Sequence, residues 1–283
     1  MPDQATSLKS RIENFFAAGP KAVPDAAALQ AFLELREALE AGKIRAAEPD
    51  ANAPIGWRVN AWVKQGILLG FRLGHLEAVG QDLSFVDKHT FPARRFGTDD
   101  GVRIVAGGSA ARAGCFIAKG VICAPPMYIN TGAYVDEGTM VDSHALVGSC
   151  AQIGKRVHLS AAAQVGGVLE PVNASPVILE DDVLIGGNCG IYEGTVVKRK
   201  AVLAAGTILT RGTPVYDVVR GDVLRAEGDQ PLVIPEGAVV VPGARAVSKG
   251  KAAWWGLSVY TPVIVKYRDE KTELSLALEE LLR

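Results

Sequence analysis

The feature that most constrains this chain is an apolar residue that recurs every six positions within residues 115–211. The series is interrupted once, after Val165, and resumes in a shifted phase. Its members are Ile117, Cys123, Ile129, Val135, Val141, Val147, Ile153, Leu159 and Val165, then Leu179, Ile185, Ile191, Val197, Leu203 and Leu209. Two positions ahead of each stands a second series of mostly small residues. A period of six matches neither a helix nor an alternating strand, and an ordinary β-sandwich would need the spacing to be coincidental.

A six-residue period is the signature of a parallel β-helix, in which each hexapeptide forms one flat face. Three faces close a triangular coil of about eighteen residues, and successive coils stack at the strand spacing of about 4.8 Å. The apolar series then fills the axis of the coil, while the small series fits where the faces converge. Parallel crossovers are normally right-handed, and the period alone does not fix the hand of this coil.

The composition favours a soluble globular protein of one or two domains. Of its 283 residues, 48% are apolar and 22% are charged, and the net charge of −1 gives no sign of binding to nucleic acid or membranes. No apolar run reaches the roughly 18 residues of a membrane span, so we expect a cytoplasmic protein. Cys115, Cys123 and Cys189 fall in the inward positions, which indicates core thiols rather than disulfides or a metal site.

We divide the chain into a helical N-terminal domain at 1–102, the β-helix at 103–246 and a C-terminal cap at 247–283. The predicted helices are 7–18, 25–41, about 60–73 and 272–283. Asp25 is expected to cap the second helix, and Gly42 to end it. Residues 75–100 are expected to form a loop with short strands, and 256–266 a strand or hairpin. The last coil is expected to use Ile234, Val240 and Ala246.

The interruption at 166–176 carries glycine and proline and must leave the coil as a loop. If it adds two residues to a coil of eighteen, four small residues share one corner column: Gly148, Gly166, Gly186 and Ala204. A corner without side chains exposes backbone N–H and C=O groups along a groove. Such a groove suits a long thin ligand such as a pantetheine arm, which has two amides to pair. The alternative is that tight corners simply favour glycine.

The same count places four polar residues at the next corner, namely Asp142, Ser160, Glu180 and Lys198. Asp142 can orient or deprotonate an amine nucleophile, and the basic run 198–200 can hold phosphates, although both are also typical of a solvated corner. His144 and His158 are the only histidines in the coils, fewer than the three that a zinc hydratase of this fold needs.

Four stretches of the coil region carry more specific motifs. They are GAYVDEGTMVD at 132–142, VGSCAQIG at 147–154, VHLS at 157–160 and GGVLEP at 166–171. Together they resemble the tetrahydrodipicolinate N-succinyltransferases, a family of hexapeptide-repeat acyltransferases, over about 103–200. The resemblance implies a mainly β fold: a left-handed parallel β-helix with an α-helical N-terminal domain and a small C-terminal capping region. It also implies a homotrimer with its sites between subunits.

The activity that this resemblance implies is transfer of a succinyl group from succinyl-CoA, without a metal. The acceptor is the amine of ring-opened tetrahydrodipicolinate, in the diaminopimelate route to lysine. The resemblance assigns substrate binding to Arg103 and Asp142, and Arg suits a dicarboxylate because its fork pairs with a carboxylate. Asp142 accepts a proton or hydrogen bond from the attacking amine, and backbone N–H groups of the glycine corner stabilise the oxyanion.

Two positions depart from the family. Its usual Glu, three residues before the Glu of the Glu193-Gly194 pair, is Gly190 here, and its usual Trp two residues after the Asp is His144. A carboxylate is lost and an imidazole gained, so His144 either takes over proton transfer or packs on a neighbouring subunit. An acetyl-CoA-dependent N-acetyltransferase acting on the same or a related amino acid is the alternative activity. A non-enzymatic assembly or binding subunit is the alternative outside catalysis.

Overall fold

The computed structural model describes residues 3–79 and 85–268. The described part of its N-terminal region contains three α-helices, which are α1 (Asp3–Ala17), α2 (Ala26–Glu40) and α3 (Ala61–Leu73). Asp25 caps α2 as predicted, because its Oδ1 accepts a hydrogen bond from the Ala27 N–H at 2.8 Å. Gly42 lies just beyond α2 with a φ of +67°, a left-handed conformation that favours glycine at the end of a helix.

The helices approach one another closely because α3 carries glycine where it meets α2. A Cβ on Gly66 would lie 2.1 Å from Leu35 Cδ2, and one on Gly70 would lie 2.1 Å from Phe32 Cε2. Phe32 and Leu35 are buried with Ile12 in one apolar cluster. This cluster makes the helical region a core of its own beside the coils.

Two antiparallel pairs of short strands lie between the first helices and the coils. The first joins β1 (Ala47–Pro49) to β2 (Trp57–Val59), and the second joins β3 (Leu76–Val79) to β4 (Phe85–Lys88). The second pair confirms the short strands predicted within 75–100.

The coils consist of two-residue strands that begin at Arg103. The strands are β5 (Arg103–Ile104), β6 (Ala110–Ala111), β7 (Phe116–Ile117), β8 (Ile122–Cys123), β9 (Tyr128–Ile129), β10 (Tyr134–Val135), β11 (Met140–Val141), β12 (Leu146–Val147), β13 (Gln152–Ile153), β14 (His158–Leu159), β15 (Gln164–Val165), β16 (Ile178–Leu179), β17 (Leu184–Ile185), β18 (Gly190–Ile191), β19 (Val196–Val197), β20 (Val202–Leu203) and β21 (Ile208–Leu209). Strands one coil apart pair in parallel, as β8, β11 and β14 do, and this pairing builds three flat sheets. The predicted parallel β-helix of hexapeptide repeats is confirmed.

The two predicted series form the core of the coils. Each apolar member from Ile117 to Leu209 is at most 4% exposed, and so is each residue two positions ahead of it. The four cysteines are free and buried, and burial raises the pKa of Cys115 to about 11 and that of Cys123 to about 12. Their thiols therefore stay protonated at neutral pH, as expected of core residues.

The loop between β15 and β16 is longer than the phase of the repeat suggested. Val135 pairs with Ile153, 18 residues further on, whereas Ile153 pairs with Leu179, 26 residues further on. The insertion therefore holds eight residues instead of two. The two lengths differ by one hexapeptide, so a six-residue period cannot distinguish them, and every residue beyond the loop moves to a different face.

This length overturns both predicted corner columns. Gly148 and Gly166 share a column with Tyr192, because Val147, Val165 and Ile191 are in register. Gly186 and Ala204 belong to the corner that carries Asp142. Their column consists of Asp142, Ser160, Gly186 and Ala204. Glu180 and Lys198 instead share a third column with Asp136 and Gly154. The single groove of Gly148, Gly166, Gly186 and Ala204 is therefore wrong.

Beyond β21 the chain leaves the coil and then returns to it. An antiparallel pair comes first, β22 (Val215–Asp217) with β23 (Asp222–Leu224). The chain then rejoins the coil through β24 (Val233–Ile234) and β25 (Ala238–Ala246). Ile234 pairs with Val197 and Val240 with Leu203, which confirms the predicted last coil at these two positions.

The C-terminal part of β25 belongs to a hairpin. A short helix, α4 (Gly250–Trp254), leads to β26 (Ser258–Tyr267), which pairs antiparallel with β25. The prediction for Ala246 is wrong, because Ala246 pairs with Ser258 in this hairpin instead of closing a coil. The strand predicted at 256–266 is confirmed, and the helix predicted at 272–283 lies outside the described residues. The three domain boundaries stay predictions.

Candidate functional site

A cleft of about 1360 Å³ lies beside the insertion, at the corner that carries Gly166. Its walls come from the insertion, from the corner after β18 and from the segment that follows β21. The lining residues are Gly166, Gly167, Val168, Glu170, Pro171, Asn173, Ala174, Tyr192, Glu193, Arg211, Gly212, Ala226 and Asp229. The segment predicted to leave the coil as a loop therefore forms one wall of a cavity.

Two contacts hold the insertion against the rest of the molecule. Lys64 of α3 is fully buried and donates a hydrogen bond from Nζ to the Ala174 carbonyl at 2.6 Å. Burial lowers the pKa of this ammonium. At the other end of the loop, the Val168 N–H donates to the Ser149 carbonyl at 3.2 Å. The helical region therefore fixes one wall of the cleft.

Gly148 lies beneath the insertion and has no open space above it. A Cβ at this position would lie 2.2 Å from the Gly167 nitrogen and 2.6 Å from the Gly166 carbonyl carbon. Gly148 is buried, whereas Gly166 lines the cleft. At Gly148 the structure thus supports the packing explanation for glycine, because the backbone of the insertion crosses directly over it.

The cleft carries three carboxylates and one guanidinium. Glu193 Oε2 accepts a hydrogen bond from the backbone N–H of Arg211 at 2.8 Å, one coil further along. The Arg211 side chain donates to the Gly228 carbonyl and, at 3.5 Å, to the Gln230 carbonyl. Arg211 thereby ties the segment around Asp229 to the corner. Glu170 and Asp229 are the other two acids of the lining.

Tyr192 and Arg211 were missed by the sequence reasoning. Tyr192 stands directly before the Glu193-Gly194 pair that was compared with the family, but its facing partners depend on the length of the insertion. With eight inserted residues it stacks one coil beyond Gly166, at the wall of the cleft. With two, it would have been assigned to another face.

Asp142 and His144 lie together at a different corner, between β11 and β12. Asp142 is half-buried, and its Oδ1 accepts the Ser143 N–H at 2.7 Å. His144 is exposed and adopts a left-handed φ of +62°, with its backbone N–H donating to the Pro126 carbonyl. Neither residue lines the cleft at Gly166, so one chain carries two separate candidate regions.

The corner of Asp142 now includes the small residues that were assigned to the groove. Gly186 and Ala204 are half-buried and lie two and three coils beyond Asp142 in the same column. At about 4.8 Å per coil, the strip from Asp142 to Ala204 is about 14 Å long. The strip has a carboxylate at one end and small side chains beyond it.

Arg103 is exposed and lies on the same sheet as Asp142. It pairs with Ile122, which pairs with Met140, so Arg103 is two coils, or about 10 Å, from the strand that leads into Asp142. The predicted pair of a guanidinium and a carboxylate therefore occupies one side of the triangular coil.

Glu180 and Lys198 have structural partners. Lys198 Nζ donates to Glu180 Oε1 at 2.8 Å and to the Ile55 carbonyl at 2.7 Å, and Trp57 Nε1 also donates to Glu180 Oε1. Burial by itself raises the pKa of Glu180, but these hydrogen bonds and one from the Arg199 N–H outweigh burial and lower it. Lys198 thus joins the β1–β2 region to the coils, and these contacts favour a structural role for Lys198 over phosphate binding.

In residues 3–79 and 85–268, no cluster of three His, Cys, Asp or Glu side chains is arranged to hold a metal ion. None of the helices in the part of the chain that the structure describes has the length and apolar character to cross a membrane.

Known protein families match both the helical N-terminal region and part of the coils. Residues 7–73 match the family model described as tetrahydrodipicolinate N-succinyltransferase N-terminal, and 176–211 match the hexapeptide repeat of succinyl-transferase. A solved structure described as a putative 2,3,4,5-tetrahydropyridine-2-carboxylate N-succinyltransferase from Campylobacter jejuni is 16% identical. That likeness covers 83% of this chain and 62% of the other, with a TM-score of 0.46.

Curated relatives are similar over the whole length. The 2,3,4,5-tetrahydropyridine-2,6-dicarboxylate N-succinyltransferase of Aromatoleum aromaticum is 41% identical, covering 100% of this chain and 99% of the relative. The relative of the same name from Leptothrix cholodnii is 43% identical, covering 91% and 90%. The chain therefore belongs to the family of 2,3,4,5-tetrahydropyridine-2,6-dicarboxylate N-succinyltransferases.

Proposed function

We propose that this protein transfers the succinyl group of succinyl-CoA to the amine of ring-opened tetrahydrodipicolinate, in the diaminopimelate route to lysine. The observation that carries the proposal is the 41% identity over the full chain to a relative that bears this name. The geometry supports it, because Arg103 and Asp142 occupy one side of the coil and Asp142 heads a strip of small residues.

The reaction forms one amide bond and breaks one thioester bond. The neutral amine attacks the thioester carbonyl carbon, and the tetrahedral intermediate collapses as the C–S bond breaks. The amine nitrogen loses a proton to Asp142, and the departing thiolate of coenzyme A takes up a proton. Asp142 suits this role because it is half-buried and its Oδ1 is fixed by the Ser143 N–H at 2.7 Å.

The other site residues have roles that follow from their chemistry. Arg103 pairs with a carboxylate of the dicarboxylate acceptor. His144, two residues from Asp142 and exposed, relays the proton or contacts a neighbouring subunit. The pantetheine arm lies along the strip that ends in Gly186 and Ala204. Gly166 belongs to the second region, the cleft beside the insertion.

The protein acts as a homotrimer of the cytoplasm in this proposal. Asp142 and the cleft at Gly166 lie at different corners of one chain, so packing of copies side by side can bring the two regions together. Large exposed apolar side chains support assembly: Trp254 is 83% and Trp255 60% exposed. Exposed apolar groups of this size are typical of contact surfaces.

The test is thiol release by the purified protein with tetrahydrodipicolinate, comparing succinyl-CoA with acetyl-CoA. Release with succinyl-CoA and little with acetyl-CoA supports the proposal. A preference for acetyl-CoA would replace it with the N-acetyltransferase reading. A folded protein that binds coenzyme A but releases thiol with neither donor would show that the acceptor is a different amine. A protein that does not bind coenzyme A would favour a non-enzymatic assembly subunit.

A further inference from the structure

The ring of Tyr192 lies across two glycines at the wall of the cleft. A Cβ on Gly166 would come within 2.8 Å of Tyr192 Cδ1, and one on Gly190 would come within 2.4 Å of Cε2 and 2.9 Å of the phenol oxygen. Real Cβ atoms do not approach other atoms this closely. Both positions must therefore lack a side chain for the ring to lie where it does.

The edge of the Tyr192 ring, with Cε2 nearest, occupies the space in which a side chain at position 190 would begin. Resemblance to the family led us to expect a Glu there, whereas this chain has Gly190. A Glu and the Tyr192 ring cannot both fit in the present arrangement. The chain thus places a phenol beside a position where an acidic side chain was expected.

The hydroxyl of Tyr192 is available to a ligand. Within residues 3–79 and 85–268 it makes no hydrogen bond, and the side chain lines the cleft. The backbone of Tyr192 is fixed by its N–H, which donates to the Leu209 carbonyl at 3.0 Å. A phenol donates hydrogen bonds to anions, whereas a carboxylate at the same place would repel them.

We propose that Tyr192 is a substrate-binding residue whose hydroxyl donates a hydrogen bond to a carboxylate oxygen of the acceptor, and that Gly190 is required to admit it. Arg211 supplies the cationic donor of the same cleft, against the acids Glu170, Glu193 and Asp229. The identity of the acceptor rests on the proposed function, but the chemistry recognised, a dicarboxylate, is tested here independently.

The first experiment measures binding of pimelate, an unreactive seven-carbon dicarboxylate, to the full-length protein by calorimetry. Tyr192→Phe keeps the ring and removes the hydroxyl. We expect its Kd for pimelate to rise about 10- to 100-fold, the range for a hydrogen bond to a charged group. Tyr216→Phe is the matched control, because its half-buried phenol also bonds to no described residue and lies outside the cleft.

The second experiment tests the coupling of Gly190 with Tyr192. Gly190→Ala displaces the ring and should weaken pimelate binding, while adding Gly190→Ala to Tyr192→Val should cause little further loss. Three results would each overturn the proposal. The first is unchanged pimelate binding in Tyr192→Phe with an unaltered melting temperature, and the second is a wild-type protein that does not bind pimelate. The third is that the losses of pimelate binding caused by Gly190→Ala and Tyr192→Val simply add in the double variant.

Turnover separates this inference from the proposed function. With active wild-type enzyme, Tyr192→Phe should raise KM for tetrahydrodipicolinate while kcat changes by no more than about twofold, since a binding contact is lost. If the enzyme turns over but Tyr192→Phe leaves KM and pimelate binding unchanged, the inference alone fails. If neither donor reacts but pimelate binding still depends on Tyr192, the proposed function alone fails.

Discussion

Gly148→Ala tests whether this glycine exists for packing of the insertion. The added Cβ would lie 2.2 Å from the Gly167 nitrogen and 2.6 Å from the Gly166 carbonyl carbon. Ordinary contact needs about 3.4 Å or more, so the insertion has to move by roughly 1 Å. Both nearby atoms belong to the backbone, and rotation of a side chain cannot relieve the clash.

The expected cost follows from these distances. Overpacking of this kind costs about 1–3 kcal/mol. The φ of Gly148 is not in the left-handed region, so alanine also gains about 0.4–1 kcal/mol from reduced freedom of the unfolded chain. We therefore expect a net loss of roughly 0–2.6 kcal/mol in the free energy of unfolding. The displaced loop should also lower kcat/KM, because it forms one wall of the cleft.

Gly212→Ala is the matched comparison for stability. Gly212 also has an ordinary φ, and a Cβ there would meet nothing within 4 Å. In urea unfolding at one protein concentration, followed by circular dichroism, the free energy of unfolding of Gly148→Ala should be lower than that of Gly212→Ala. If the two variants are equally stable, the insertion does not pack on Gly148 as described, and the packing explanation fails.

Three further predictions concern the site and its support. Asp142→Asn should abolish thiol release without lowering the melting temperature, because asparagine still accepts the Ser143 N–H; full activity would refute the assigned role. Ala204→Phe should weaken coenzyme A binding in calorimetry by filling the strip, and unchanged affinity would move the ligand elsewhere. Burial lowers the pKa of Lys64, so at this group the unfolded chain binds more protons, and its contribution to stability rises as pH approaches about 10.4. In urea unfolding at pH 7.5 and 9.5, the free energy of unfolding of the wild type should therefore increase relative to that of Lys64→Met, and an equal change in both proteins would contradict the prediction.

The fold was predictable because burial in a β-helix repeats locally. Every coil needs an apolar residue at its axis. The inward orientation of residues such as Ile129 and Ile185 can therefore be inferred from the local sequence period alone. The helices were predictable for the same reason, with Asp25 and Gly42 marking the ends of one of them. Contacts between the N-terminal region and the coils could not be predicted in this way. The hydrogen bond from Trp57 to Glu180 is one example, because no sequence period relates these two residues.

The site was predictable only where it does not depend on the length of the insertion. Asp142 precedes the loop, and its place at a corner follows from the period. Arg103 was assigned by resemblance to the family, because it pairs with Ile122, 19 residues further on, which is one residue off the period of eighteen. Residues beyond the loop depend on whether two or eight residues leave the coil, and the period is the same for both. Gly186 was therefore grouped with Gly148, although the backbone places it above Asp142.

The loop length also changes what the departures from the family mean. Taken separately, Gly190 is a lost carboxylate and Tyr192 an ordinary aromatic residue. In the structure the ring fills the space beside Gly190 and lies against Gly166 one coil away, so the absence of a side chain at position 190 and the position of the phenol depend on each other. The position of the ring is therefore a structural reason for the missing carboxylate.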